Sequence, residues 1–86
     1  MSLRINIIGL GIMGKNVARA LLRNPHVTVT AAADINAASR DAAQAEFALA
    51  HTYDDYHTML YAERPDAVFI ATPDWAHRDP VMAALE

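Results

Sequence analysis

Three glycines, Gly9, Gly11 and Gly14, stand in a G-x-G-x-x-G spacing within "RINIIGLGIMGKNVARALL", and Asp34 follows 20 residues after the last of them. This is the chemistry of a dinucleotide site. Where a strand turns directly into a helix, the first glycine permits the tight turn. The second lets the backbone approach a pyrophosphate with no Cβ in the way, and the third lets the helix pack close to the strand. The helix N-terminus then offers unpaired N–H groups and a partial positive charge to the phosphates. Ile12 and Met13 complete the loop and are expected to touch the cofactor with it. A carboxylate at Asp34 accepts hydrogen bonds from ribose hydroxyls and repels a 2′-phosphate, so NAD is expected over NADP. Ile35 follows it where an NADP site would favour arginine, although Arg40 is near in sequence. The plainer alternatives are a glycine-rich turn without a ligand and a capping aspartate.

Those residues work only if the chain places them at strand ends, and its segments alternate accordingly. Residues 3–9 read as a first strand, and 13–24 as a helix with Val17, Ala18, Leu21 and Leu22 opposite Lys15, Arg19 and Arg23, stopped by Pro25. Residues 27–34 are β-branched and apolar, hence strand two. Residues 36–48 read as an alanine-rich helix with Asn36 as N-cap. Residues 50–53 read as a short third strand and 54–63 as a helix opened by an aspartate cap. Residues 67–72, "AVFIAT", form a continuous apolar run typical of a strand buried on both faces. Residues 76–86 start a last helix, with Pro80 tolerable only near its first turn. The alternation predicts an α/β fold: a partial doubly wound (Rossmann) parallel sheet of about four strands in order 3-2-1-4 with flanking helices.

Bulk composition narrows the function. Eighty-six residues make one small domain, which buries only roughly 60–65% of its unfolded surface. Hydrophobic residues at 53% and charged ones at 20% fit a globular chain. A net charge of −3 gives no attraction to nucleic acid or anionic lipid, and no apolar run reaches membrane-spanning length. Cysteine is absent, which removes disulfide and thiolate chemistry; a cytoplasmic location is expected. His26, His51, His57 and His77 show no metal-ligand spacing, and Ser2 and Ser39 lack a base and an elbow. Asp54 and Asp55 look like a catalytic pair, but they open a helix, where caps belong. Neither a metal site nor a catalytic residue is expected in this chain.

With "GLGIMG", Asp34, "YDDYHTML" and "PDAVFIATPDWAH" in hand, the sequence resembles the N-terminal part of the Gfo/Idh/MocA oxidoreductase family. The stretch "ATPDWAH" matches that family's A-T-P-x-x-x-H after strand four, and the resemblance covers essentially the whole chain. It implies that Ala71, Thr72, Pro73 and the loop beyond them line the pocket near the nicotinamide ribose and pyrophosphate. It also implies that His77 lies close to the cofactor at the start of the next helix; a plain helix cap is the other reading. Trp75 either covers a nicotinamide or sugar-like substrate, or plugs against further protein.

The resemblance implies hydride transfer between a nicotinamide cofactor and a sugar, polyol or similar small alcohol or carbonyl. Family members continue into a fifth strand ending in E-K-P and a sheet-rich second domain. Both lie beyond Glu86, so residues 1–86 are expected to be an incomplete dinucleotide domain without turnover of its own, its substrate bound only with that further part. A non-catalytic dinucleotide module would carry the same fingerprint. "IGLGIMG" also resembles the β-hydroxyacid dehydrogenases, but Asp34-Ile35 and "ATPDWAH" argue against them. A sheet edge at strand four is an association hazard, so marginal stability, self-association through that edge or a partner covering it is expected.

Overall fold

The computed structural model describes residues 3–71. In chain order these form β1 (Leu3–Ile8), α1 (Ile12–Leu22), β2 (Val27–Ala33), α2 (Ala37–Phe47), β3 (His51–Tyr53), α3 (Tyr56–Glu63) and β4 (Ala67–Ile70). The four strands lie parallel in the order β3-β2-β1-β4. This is the expected order: β2 and β3 are added on one side of β1 and β4 on the other, so the order of strand addition reverses at β1 while every strand stays parallel. Residues 72–86, which include Thr72, Pro73, Trp75, His77 and the expected last helix, lie outside the described residues.

Strand periodicity assigns the core to two faces. Ile7 and its register partner Ala32 point to one side, where Leu10, Ala18, Val29, Ala43, Phe47 and Leu49 complete a buried cluster beneath α1 and α2. Ile8 and its partner Ala33 point to the other, where Met59 of α3 is fully buried among Tyr53, Tyr56, Leu60, Val68 and Ile70. The small side chains of Ala31, Ala32 and Ala33 let helices approach the sheet closely on both sides. Leu22 departs from expectation: it is the last residue of α1 and is 52% exposed.

Sequence periodicity also overstates the burial of β4. Its apolar run is that of an interior strand, yet β4 is an edge in the described sheet and Phe69 is exposed. The cause is positional. Among the described residues only β1 pairs with β4, so no described strand lies along its outer side.

Asn6 interrupts the apolar strand β1 and is fully buried. The β1–β2 register shifts between Ile5 and Asn6, leaving Thr30 as the extra residue of a bulge. Asn6 Nδ2 donates to Thr30 Oγ1 at 2.8 Å, which satisfies the bulged side chain. At the opposite end of the strand, Arg4 fastens β1 to the turn before β4. Its backbone N–H donates to Asp66 Oδ2 at 2.8 Å, and its guanidinium donates to the Glu63 and Arg64 carbonyls at the C-terminus of α3. Those carbonyls would otherwise be among the unpaired ends of the helix.

Candidate functional site

The C-terminal ends of β2, β1 and β4 are drawn together by backbone bonds just beyond the ladders. Gly9 N–H donates to the Ala33 carbonyl at 2.8 Å, and Ala71 N–H donates to the Ile8 carbonyl at 2.8 Å. Gly9, Asp34 and Ala71 therefore sit at adjacent strand ends, on the rim where the strand order changes direction. Ligands of open parallel sheets bind in that crevice.

The three glycines have three separable physical roles. Gly9 has φ of 99°, a left-handed conformation that side chains oppose, and it turns the chain out of β1. A Cβ on Gly14 would stand 2.0 Å from the Gly9 carbonyl oxygen, so α1 can cross the loop this closely only without one. Ala71 is the third wall there, its Cβ 3.5 Å from the same point. Gly11 differs from both. Its φ of −72° suits any residue, and a Cβ built on it meets nothing within 4 Å. Among the described residues no contact demands glycine at position 11.

Gly11 is also the N-cap of α1, and among the described residues no side chain caps it. The other two described helices are capped conventionally: Asn36 Oδ1 accepts from Ser39 N–H, and Asp55 Oδ1 accepts from His57 N–H. The Asp54–Asp55 pair is thus helix-opening, with Thr58 Oγ1 also donating to Asp55. The first turn of α1 carries no acid. Its amides and helix dipole remain available to an anion.

Asp34 is partly buried and stands directly against the glycine loop. Its Oδ2 accepts from Leu10 N–H at 2.7 Å, and its Oδ1 accepts from Asn36 N–H at 2.8 Å. Its own N–H donates to the Tyr53 carbonyl at 3.0 Å, tying it to β3. Each carboxylate oxygen has two acceptor positions, so one remains on each after these bonds. Arg40, on the first turn of α2, donates from Nη1 to the Asp34 carbonyl at 2.8 Å.

The remaining expected contacts frame this centre. Ile12 and Met13 are 85% and 64% exposed on the first turn of α1, and Ile35 is 91% exposed beside Asp34. These large apolar side chains would ordinarily be buried; here they are exposed next in sequence to the glycine loop and Asp34. Of the expected cofactor residues, Gly9, Gly11, Ile12, Met13, Gly14, Asp34, Ile35 and Ala71 come together at one end of the sheet. The Leu10 amide was not identifiable from the sequence, because its part is played by the main chain and its side chain belongs to the core.

The model of the "Oxidoreductase family, NAD-binding Rossmann fold" matches residues 3–86. Inositol 2-dehydrogenase of Salmonella typhimurium is 34% identical over 87 residues, covering 99% of this chain and 26% of that protein. Among solved structures, scyllo-inositol dehydrogenase from Lactobacillus casei, with bound NAD(H) and scyllo-inositol, superposes with a TM-score of 0.92 at 30% identity. That match covers 99% of this chain and 25% of the other. Myo-inositol dehydrogenase from Lactobacillus casei, in complex with NAD(H) and myo-inositol, gives 0.92 at 32% identity over 99% and 26% of the two chains. The chain thus spans about a quarter of the length of the relatives it matches.

Proposed function

Because the chain belongs to the Gfo/Idh/MocA oxidoreductase family, whose NAD-binding Rossmann fold it carries, we propose that residues 1–86 are the NAD-preferring dinucleotide portion of a polyol dehydrogenase. The observation that carries this reading is the pairing of Gly11 with Asp34. One leaves an open Cβ position at an uncapped helix start, and the other is a carboxylate held against the same loop with acceptor capacity to spare. These residues fit the group. The loop amides around Gly11 would hold the pyrophosphate, and Asp34 the adenosine ribose hydroxyls. Ile35, Ile12 and Met13 would supply apolar surface to the flat parts of the ligand. Ala71, and with it Thr72, Pro73, Trp75 and His77, would extend the site toward the nicotinamide end.

When bound, the nicotinamide supplies a hydride acceptor for an alcohol carbon. The chain's own contribution is to bind and orient it. The substrate class follows from the inositol dehydrogenases it resembles: a polyol hydroxyl oxidised to a ketone. We place the residues that read the substrate and move its proton in further chain of the kind that makes up the other three quarters of those relatives. On that reading residues 1–86 alone have no turnover. We assign the activity to the cytoplasm, in keeping with a cysteine-free chain and the absence of a membrane-spanning helix among the described residues.

The test is calorimetric titration of the chain with NAD and with NADP. Saturable NAD binding, with NADP clearly weaker, is expected. Binding of neither, in a sample shown to be folded, would overturn the reading.

A further inference from the structure

We infer that Met13 is an oxidation site that disables the glycine loop: a hydroperoxide converts its thioether to a sulfoxide, and the sulfoxide blocks the start of α1 to an anion. The inference rests on the dinucleotide reading above and goes beyond it to a modification that switches the same site off. The chain has four methionines, and two of them, Met13 and Met59, lie among the described residues. Met59 is fully buried within α3, whereas Met13 is 64% exposed at the second position of α1. Oxidants act first on the sulfur they can reach, so the two thioethers should differ widely in rate. In the step itself, a lone pair on Met13 Sδ takes the terminal oxygen of the hydroperoxide. The S–O bond forms as the O–O bond breaks, and sulfur gives up two electrons. The proton of the transferred oxygen passes to the leaving oxygen, which departs as water or an alcohol.

Position makes this oxidation consequential. Helical side chains lean toward the N-terminus of their helix, so a residue covers the turn that precedes its own Cα. For Met13 that turn is the end of the glycine loop and the opening of α1. Lys15 N–H is the first in α1 with an intrahelical acceptor, the Gly11 carbonyl at 3.0 Å. The amides of Ile12, Met13 and Gly14 come before it. Among the described residues no side chain caps them, and no acid stands in the first turn. A thioether is only a weak acceptor and leaves those amides free. A sulfoxide oxygen is a strong acceptor with partial negative charge. Tethered at position 13, it offers the amides an acceptor of their own and opposes an incoming pyrophosphate. It also makes polar a side chain that would otherwise give the ligand apolar surface.

The experiment treats the 86-residue chain with hydrogen peroxide, with and without saturating NAD, and then removes the peroxide. Peptide mass spectrometry reads the added oxygen at each methionine, Met1 and Met82 included, and calorimetry reads NAD affinity. Met13 should be oxidised at least about tenfold faster than Met59. Bound NAD should slow the reaction at Met13 about threefold or more. Complete oxidation of Met13 should lower NAD affinity about tenfold. Methionine sulfoxide reductases, one for each sulfoxide epimer, should then restore the affinity. Met13→Leu keeps the side-chain volume and lacks the sulfur. Measured against its own untreated affinity, that variant should not respond to peroxide.

Should Met13→Leu fail to fold, the unmodified chain decides, because reductase reversal and the peptide map together tie any loss of affinity to one sulfur. An unchanged affinity at full Met13 oxidation overturns the inference. So does a loss that persists in Met13→Leu, that follows Met1 or Met82 in the map, or that the reductases do not reverse. Oxidation of Met13 at the same rate with and without NAD overturns it as well. If the untreated chain binds no NAD, the dinucleotide reading itself falls and this inference with it, an outcome distinct from NAD binding that peroxide leaves untouched.

Discussion

The Asp34 carboxylate accepts a 2.7 Å hydrogen bond from the backbone N–H of Leu10, joining the end of β2 to the glycine loop that leaves β1. The same carboxylate accepts from Asn36 N–H, at the cap of α2. One side chain thus holds the loop expected to cradle a pyrophosphate and the helix expected to border the ribose. Removing it should damage the empty fold as well as the binding. Asp34→Ala is expected to lower unfolding stability without ligand by about 1–3 kcal/mol, since two donors lose a charged acceptor. NAD affinity should fall more than tenfold. Urea unfolding and calorimetric titration check the two effects separately. Unchanged stability would show that the tether contributes nothing, and unchanged affinity would remove Asp34 from the ribose.

Gly11 and Gly14 share a motif but should fail differently. Gly14→Ala forces a methyl group to within 2.0 Å of the Gly9 carbonyl oxygen, a backbone atom that cannot swing aside. Helix α1 must shift, at a cost of about 1–3 kcal/mol or more. Gly11→Ala meets open space at an unstrained φ, so stability should stay within about 1 kcal/mol. Its methyl group would intrude on the pyrophosphate, and NAD affinity should fall at least about tenfold. Denaturant unfolding and NAD titration of both variants separate packing from binding. Equal loss of stability in both would contradict the assignment of Gly11 to the ligand.

The sequence revealed strand order, because continuous apolar and β-branched runs alternate with helical periodicity and the three-glycine spacing marks the first crossover. It also revealed Asn36 and Asp55 as caps, since short polar side chains before helical runs have few other uses. What it concealed was non-local. Phe69 reads as buried because an apolar residue is the same whether its strand is interior or at an edge; exposure depends on what lies alongside. The bulge opposite Asn6 arises from pairing with Thr30, 24 residues away, and local sequence carries no mark of it. The role of Leu10 was hidden because an amide N–H is common to nearly every residue type. Arg40 was visible as a nearby cation, but its anchoring on the Asp34 carbonyl needed coordinates.

Tyr53 and Glu63 join β3 to α3 behind the site and supply a pH-dependent prediction. The Tyr53 hydroxyl donates to Glu63 Oε2 at 2.6 Å, and His51 Nδ1 lies 3.5 Å from the same oxygen. Sharing its proton with the Glu63 carboxylate raises the Tyr53 phenol above its ordinary 10.0, with burial and the carboxylate's charge acting in the same direction. A raised value means that the folded chain favours the neutral phenol. The stabilisation is therefore fully present below the unfolded value of about 10 and is lost as pH rises through the higher folded value. Tyr53→Phe should cost about 1 kcal/mol at neutral pH. Its deficit relative to the unmodified chain should stay flat between about pH 7 and pH 9 and shrink above about pH 10. Thermal unfolding of both proteins across that range is the check, and a deficit that grows with alkalinity would contradict the assigned bond.

Strand β4 yields the last prediction. Its inner side pairs with β1 through Ala67 to Ile70, and no other described strand pairs with its outer side. A parallel edge of this kind exposes unpaired backbone groups beside apolar side chains, and Phe69 is 38% exposed there. Charges or bulges commonly blunt such edges; "AVFI" contains neither. The 86-residue chain should therefore self-associate with rising concentration, through β4. Phe69→Lys should weaken that association about tenfold or more, because an aromatic side chain loses its contact and a desolvated cation opposes pairing. Sedimentation velocity at several concentrations, with circular dichroism to confirm the fold of the variant, measures this directly. A monomer at every concentration, or an assembly indifferent to Phe69→Lys, would mean that β4 is not the surface through which copies meet.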